Sequence, residues 1–308
     1  MKVNPVYKQE TRASARSFRL PLVILVFNSV LAAVALLDMY SMIARVRLTA
    51  EIQYSSFLSL YVFVAVVEFV LLLLLIPALT AGSISGEREK GTLELLLTTR
   101  MSAADIVIGK LSASLSTVFL LIVSSFPMLA LVFIYGGVTI PEVGFLLVSY
   151  AVTALLLGSV GICCSAWFSR TTFATVASYC VMGTLVLGTM GINQFVYLLM
   201  RAAAGTAPEN TGAWLYLLLL NPASTFKQVI DAQMGGSFPV PEMLAWAQRP
   251  PHGLITEHWM LFGVLAQMLL SAALIRAAIY RLDPGGGQRR KRAKAERKQR
   301  PAGKKGDR

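Results

Sequence analysis

Phe57-Leu-Ser-Leu-Tyr-Val-Phe-Val-Ala-Val-Val-Glu68-Phe-Val-Leu-Leu-Leu-Leu-Leu-Ile-Pro77-Ala-Leu79 decides the fold class. These 23 residues carry one acidic and no basic side chain, the acid being Glu68. At about 1.5 Å per residue, a helix of this length reaches roughly 34 Å, enough to cross a hydrocarbon core of about 30 Å. Five further stretches meet the same criterion, near 20–40, 108–134, 143–168, 173–200 and 259–281. The composition agrees. The chain of 308 residues is 56% hydrophobic and 14% charged, with a mean hydropathy of +0.64. A soluble domain averages roughly 45–50% apolar and 25% charged. Too few polar side chains remain to cover a water-facing surface, which excludes a soluble enzyme, a disordered chain and a disulfide scaffold. The reading is an all-α, polytopic membrane protein with six transmembrane helices.

The first span opens with Leu20-Pro21-Leu22, and proline is tolerated in a helix's first turn. No small-x-small cleavage site follows in a good position, so an uncleaved span is expected rather than a signal peptide. Trp214–Leu220 is apolar but too short to cross. It ends at Asn221-Pro222 and reads as an interfacial or re-entrant piece.

Basic residues set the orientation. With both termini inside, 23 Lys and Arg fall on the inner side, against five outside: Arg45, Arg47, Arg201, Lys227 and Arg249. That asymmetry predicts cytoplasmic ends, an even number of spans and a cell-membrane location. Residues 20–282 then form the six-span transmembrane body, and 201–258 a large external loop before the last helix.

Two flanking pieces stand apart. In residues 1–19, Val3, Val6, Tyr7, Ala13 and Phe18 are interspersed with Lys8, Arg12, Arg16 and Arg19. The pattern fits a basic amphipathic helix on the inner leaflet, the alternative being a frayed polar terminus. Residues 283–308 form a basic tail that is expected to be disordered. From Pro284 onward it holds 11 of the 28 Lys and Arg but only two acids, Glu296 and Asp307, so the body itself is nearly neutral. Its expected partners are anionic inner-leaflet lipids, with no specific nucleic acid. Cys163, Cys164 and Cys180 lie in apolar segments and read as small buried hydrophobes.

Between the second and third spans runs Ala81-Gly-Ser-Ile-Ser-Gly-Glu-Arg-Glu-Lys-Gly-Thr-Leu-Glu-Leu-Leu-Leu-Thr-Thr-Arg100. Charges of alternating sign cluster at 87–90, and Gly91 breaks the run. Thr92 can cap a short amphipathic helix, with Glu94 in its first turn and Leu93, Leu95, Leu96 and Leu97 on its apolar face. Two readings stand: a docking element for a soluble partner, or a solvated loop with a buried leucine cluster. Gly86-x-x-x-x-Gly91 imitates half of a phosphate-binding loop. However, Thr92 and Leu93 follow where Lys and Ser/Thr are required, so nucleotide binding by this chain is rejected.

The run Gly86–Thr98, with Ser102 and Ile106 to Lys110, resembles the signature of type 2 ABC transporter permeases. There, an E-R-E-x-G-T-L-[ED]-L-L-L-x-[ST] segment follows the second span and supplies the coupling helix that sits on the ATPase. Asn4-Pro5-Val6 with Lys8 and Glu10, and the later Asn221-Pro222, also look like the family's pattern; the basic tail does not. The resemblance implies the membrane subunit of an ATP-driven exporter whose coupling segment is 82–105. Glu87, Arg88 and Glu89 would make polar contacts, Gly91, Thr92 and Glu94 would shape the turn, and Leu93, Leu96 and Leu97 would anchor it. It also implies a separate ATPase carrying ATP and Mg, no cofactor on this chain, and a second permease copy, identical or paralogous.

Glu68 sits mid-span, where a carboxylate is expensive unless it faces protein or water. The resemblance places the second and fifth spans along the translocation path, which Glu68 would then face. Equally, a protonated Glu68 bonded to a neighbouring helix satisfies the residue. Asn193 and Gln194, polar near the outer end of the fifth span, are candidates to touch cargo. That span also carries Gly183, Gly188 and Gly191, which permit close packing or local bending. His252 and His258 lack metal-ligand spacing, and no nucleophile elbow occurs, so no metal or catalytic residue is expected. An ion-coupled secondary transporter or a non-transporting membrane anchor are the alternative functions. The first predicts inverted repeats and several intramembrane charges, which the sequence does not show.

Overall fold

The structure is a computed structural model described for residues 5–49, 55–93, 101–135, 139–205, 212–234, 255 and 258–282. The candidates Glu94, Leu96 and Leu97, the tail 283–308 and residues 235–254 lie outside those described. All the regular elements among the described residues are helical. They are α1 (Pro5–Arg16), α2 (Arg19–Thr49), α3 (Ser55–Thr80), α4 (Ser85–Glu89), α5 (Ala103–Tyr135) and α6 (Ile140–Trp167). Then follow α7 (Thr171–Gly183), a π-helical turn (Thr184–Gly188), α8 (Thr189–Ala204), a 3-10 helix (Gly212–Leu220), α9 (Pro222–Gln233) and α10 (Trp259–Leu282).

Six helical stretches are long and apolar enough to cross a membrane, α7, the π-turn and α8 forming one of them. Several starts have local causes. Ser102 Oγ accepts from Asp105 N while Asp105 Oδ2 accepts from Ser102 N at 3.1 Å, a reciprocal cap that opens α5 at 103, ahead of the expected 108. Thr139 and Glu142 form the same kind of box before α6. Asn221 caps α9 by accepting from Ala223 N, with Pro222 at the first helical position.

Helix α6 is the axis of the bundle. It packs against α3, α5, α7, α9 and α10, and 67% of its most apolar window is buried, against 11% for α2. Small residues permit this. At Gly161 an added Cβ would lie 1.9 Å from Thr80 Oγ1 and 3.3 Å from Ala81 N, so only glycine lets the end of α3 sit directly on α6.

The 212–234 region turns inward. The 3-10 helix covers the expected short apolar run, but a second helix, α9, follows it into the bundle. Phe226 stacks on Phe69 of α3, with ring centroids 4.3 Å apart, and lies 5.9 Å from Tyr150 of α6. Its polar neighbours are buried with partners: Gln267 Nε2 on α10 donates to Thr225 Oγ1 at 2.7 Å, and Ser224 Oγ donates to the Leu218 carbonyl. Burial of such groups is tolerated because they are bonded. At the other end of the bundle the residues flanking α4 meet the last turns of α10. Ile84, Leu93, Val107, Leu111, Ile162 and Ala278 form one cluster there, with Ile279 and Leu282 against it.

Candidate coupling site

The segment after α3 is built on α6. Ser165 of α6 is fully buried, and its Oγ accepts from both Ile84 N and Ser85 N at 2.9 Å. These are backbone donors at the start of α4, which a helix leaves unsatisfied unless something caps them. A single serine 80 residues away therefore holds α4, a helical turn that sequence pattern alone does not announce. Gly91 then adopts φ +68°, a left-handed conformation suited to glycine, and ends the turn. The Thr92 hydroxyl reaches back to donate to the Glu87 carbonyl at 3.2 Å. Leu93 is buried in the cluster with Ile84 and Val107, so this leucine anchors on the bundle.

Each of the three charges of α4 reaches a different span. Glu87 lies 2.7 Å from Lys110 Nζ on α5. Arg88 donates to the Phe168 carbonyl from one guanidinium nitrogen (3.1 Å) and to the Ala166 carbonyl from another (3.2 Å). Those carbonyls belong to the C-terminal end of α6, where the helix dipole favours a cation. Glu89 Oε2 accepts from Thr171 Oγ1 at 2.8 Å and faces Thr171 N at 3.4 Å, at the N-terminal end of α7, where the dipole favours an anion. The signs are matched to the helix ends. Lys90, Gly91 and Thr92 form the exposed edge.

Lys110 carries a second bond. Its Nζ is also 2.7 Å from Glu10 Oε1 of α1, and the lysine side chain is only 3% exposed. A cleft of about 580 Å³ opens beside this triad between α1, α2, α4 and α5, with Ser14, Ser83, Lys90 and Thr117 among its walls.

The other candidates lie elsewhere. Glu68 is fully enclosed among α3, α5 and α6, and bonds Ser125 of α5. Asn193 is buried on α8, and Gln194 beside it is half-buried. Neither is near α4. In sequence, Ser165 and Thr171 look like ordinary small polar residues of apolar helices. Lys110 has a signal: a lone lysine just inside an apolar span needs a carboxylate.

The chain matches the family model described as ABC-2 family transporter protein over residues 5–281, and it belongs to that family. No curated protein matches it in sequence. It is therefore a membrane-embedded permease subunit of an ABC transport system.

Proposed function

We propose that this chain is the translocating subunit of an ATP-driven exporter and that a separate ATPase drives it through the α4 segment. The supporting observation is that Glu87, Arg88 and Glu89 bind α5, α6 and α7 respectively. A push on this one turn reaches three spans at once through charge-assisted bonds. Lys90, Gly91 and Thr92 are the surface offered to the ATPase, and the three charges are struts behind it. ATP binding closes two ATPases, two permease copies follow, and the bundle shifts between inward- and outward-open states. Both ends of the chain are cytoplasmic in this reading, in a cell membrane.

The test is isolation of the tagged full-length chain from its native membranes with identification of the bound proteins. An ABC ATPase should co-purify with the wild type and be lost with Lys90→Glu combined with Thr92→Arg, while membrane insertion is kept. No ATPase with the wild type, or full retention by the double variant, refutes the reading.

A further inference from the structure

We infer that Lys110 fastens the N-terminal helix α1 to α4, so that both move as one unit when the transporter cycles. The inference deepens the coupling reading and rests on it for its link to ATP.

The geometry is a three-point junction. Lys110 projects from the base of α5 and is almost wholly buried, with Glu10 Oε1 and Glu87 Oε1 each 2.7 Å from its Nζ. One carboxylate comes from α1, about a hundred residues away in the chain, and the other from α4. Removing one partner of a buried ion pair is strongly destabilising because it leaves an uncompensated charge. The lysine therefore holds both carboxylates. Without it, two carboxylates would face one site and repel.

The junction has a second tie. Tyr7 and Ser116 share a hydrogen bond at 3.1 Å, which fixes α1 along α5 one to two turns beyond Lys110. Val6 of α1 is also buried. By contrast, the 580 Å³ cleft between α1, α2, α4 and α5 separates Ala13 and Ser14 of α1 from Gly86 of α4 and Lys90 at its end, so open space rather than an apolar contact lies between the two helices there. The polar junction, more than apolar packing, thus joins α1 to α4. Lys110 and Glu10 are positioning residues: they transmit motion and touch neither nucleotide nor cargo.

The test uses full-length chain lacking Cys163, Cys164 and Cys180, spin-labelled at Gln9→Cys and Gly82→Cys; the Gly82 carbonyl accepts from Gly86 N of α4, and a Cβ there meets open space. In the isolated chain, the 9-to-82 distance should be a single narrow peak in the wild type and with Lys110→Arg. It should lose that peak with Lys110→Met and with Glu10→Gln. An unchanged peak in both neutral variants overturns the junction. In the complex with its ATPase, the 9-to-82 distance should stay fixed between nucleotide-free and ATP-trapped states. The distance from 9 to a label at Arg201→Cys, at the opposite end, should shift. A 9-to-82 change as large as the 9-to-201 change overturns the joint motion. In that complex Lys110→Met should retain the ATPase, but its hydrolysis should fall to the rate of the ATPase alone, with Lys110→Arg restoring it; hydrolysis unaffected by Lys110→Met overturns the link to ATP. If no ATPase binds the wild type, the coupling reading fails while the isolated-chain measurement still decides the junction.

Discussion

Asn221 donates its side-chain amide to the Val186 carbonyl at 2.9 Å, inside the π-turn of the fifth span. The same nitrogen lies 2.8 Å from Thr189 Oγ1, and the side-chain oxygen caps α9 at Ala223 N. A π-turn disrupts the regular i to i−4 ladder, and such turns collect at functional positions. Here the amide supplies a donor from outside the helix. Because Gln267 Nε2 also approaches the Asn221 carbonyl at 3.2 Å, the turn links the fifth span, α9 and the sixth span.

Replacing Asn221 separates its two roles. Asn221→Asp keeps an acceptor for Ala223 N but cannot donate to Val186. Asn221→Ala loses both. A buried group left without its partner costs about 1–3 kcal/mol. We expect both variants to lower the thermal midpoint of the detergent-solubilised chain, with Asp nearly as damaging as Ala. An Asp variant as stable as wild type would show that the cap alone matters.

Glu68 is expected to act as a neutral hydrogen-bonding group. Ser125 Oγ bonds Glu68 Oε1 and lies 2.8 Å from the Ile122 carbonyl. A serine has one proton, so both contacts are hydrogen bonds only when the carboxyl donates to Ser125. The second carboxyl oxygen is buried with no partner among the described residues, which a full negative charge would tolerate poorly. Glu68→Gln keeps a donor of the same length and should leave the midpoint and ATP-dependent activity near wild type. Glu68→Leu should lower the midpoint by leaving Ser125 Oγ with one bond fewer. Loss of activity in the Gln variant at unchanged stability would show that a titrating carboxyl is needed.

Gly161 should be intolerant of any side chain. Its missing Cβ would meet both Thr80 Oγ1 at 1.9 Å and Thr80 Cβ at 2.8 Å. Overpacking of this kind typically costs about 1–3 kcal/mol. Gly161→Ala should therefore destabilise the chain, and Thr80→Ala in the same chain should relieve the clash with the hydroxyl but not the one with Cβ, giving partial recovery. Gly191→Ala, with open space around its Cβ, is the control expected to be near neutral. Equal midpoints for the two glycine variants would contradict the close packing of α3 on α6.

The six spans were legible because crossing a membrane imposes a length and an apolarity that each stretch displays by itself. The charged segment was legible as unusual for the same local reason. Its internal order was legible only in part. Thr92 as a cap placed a helix after Gly91, and Thr92 and Leu93 are helical, the residues beyond lying outside those described; the helical turn Ser85–Glu89 before Gly91 was not read. That turn exists because Ser165, on another span, satisfies its first N–H groups, and no local pattern encodes a partner 80 residues away. Helix α9 was missed for a related reason. Ser224, Thr225 and Gln233 make it read as a polar loop, and it is buried only because Leu218, Gln267 and Glu142 supply the matching groups.

Arg88 offers the clearest division between an internal strut and a partner contact. Its two guanidinium nitrogens reach the Phe168 and Ala166 carbonyls at the end of α6, and those carbonyls have no helical donor to take its place. Lysine offers one compact ammonium on a flexible stem and cannot reproduce the fork. A hydrogen bond to a charged group contributes roughly 1.5–3 kcal/mol. Arg88→Ala should thus lower the thermal midpoint of the chain purified without any ATPase, and Arg88→Lys should fall between Ala and wild type. A residue that served only to contact the ATPase would leave the midpoint of the isolated chain unmoved and would weaken co-purification alone. If Arg88→Ala gives that second pattern, the strut role fails and α4 is joined to the spans through Glu87, Glu89 and Ser165 only.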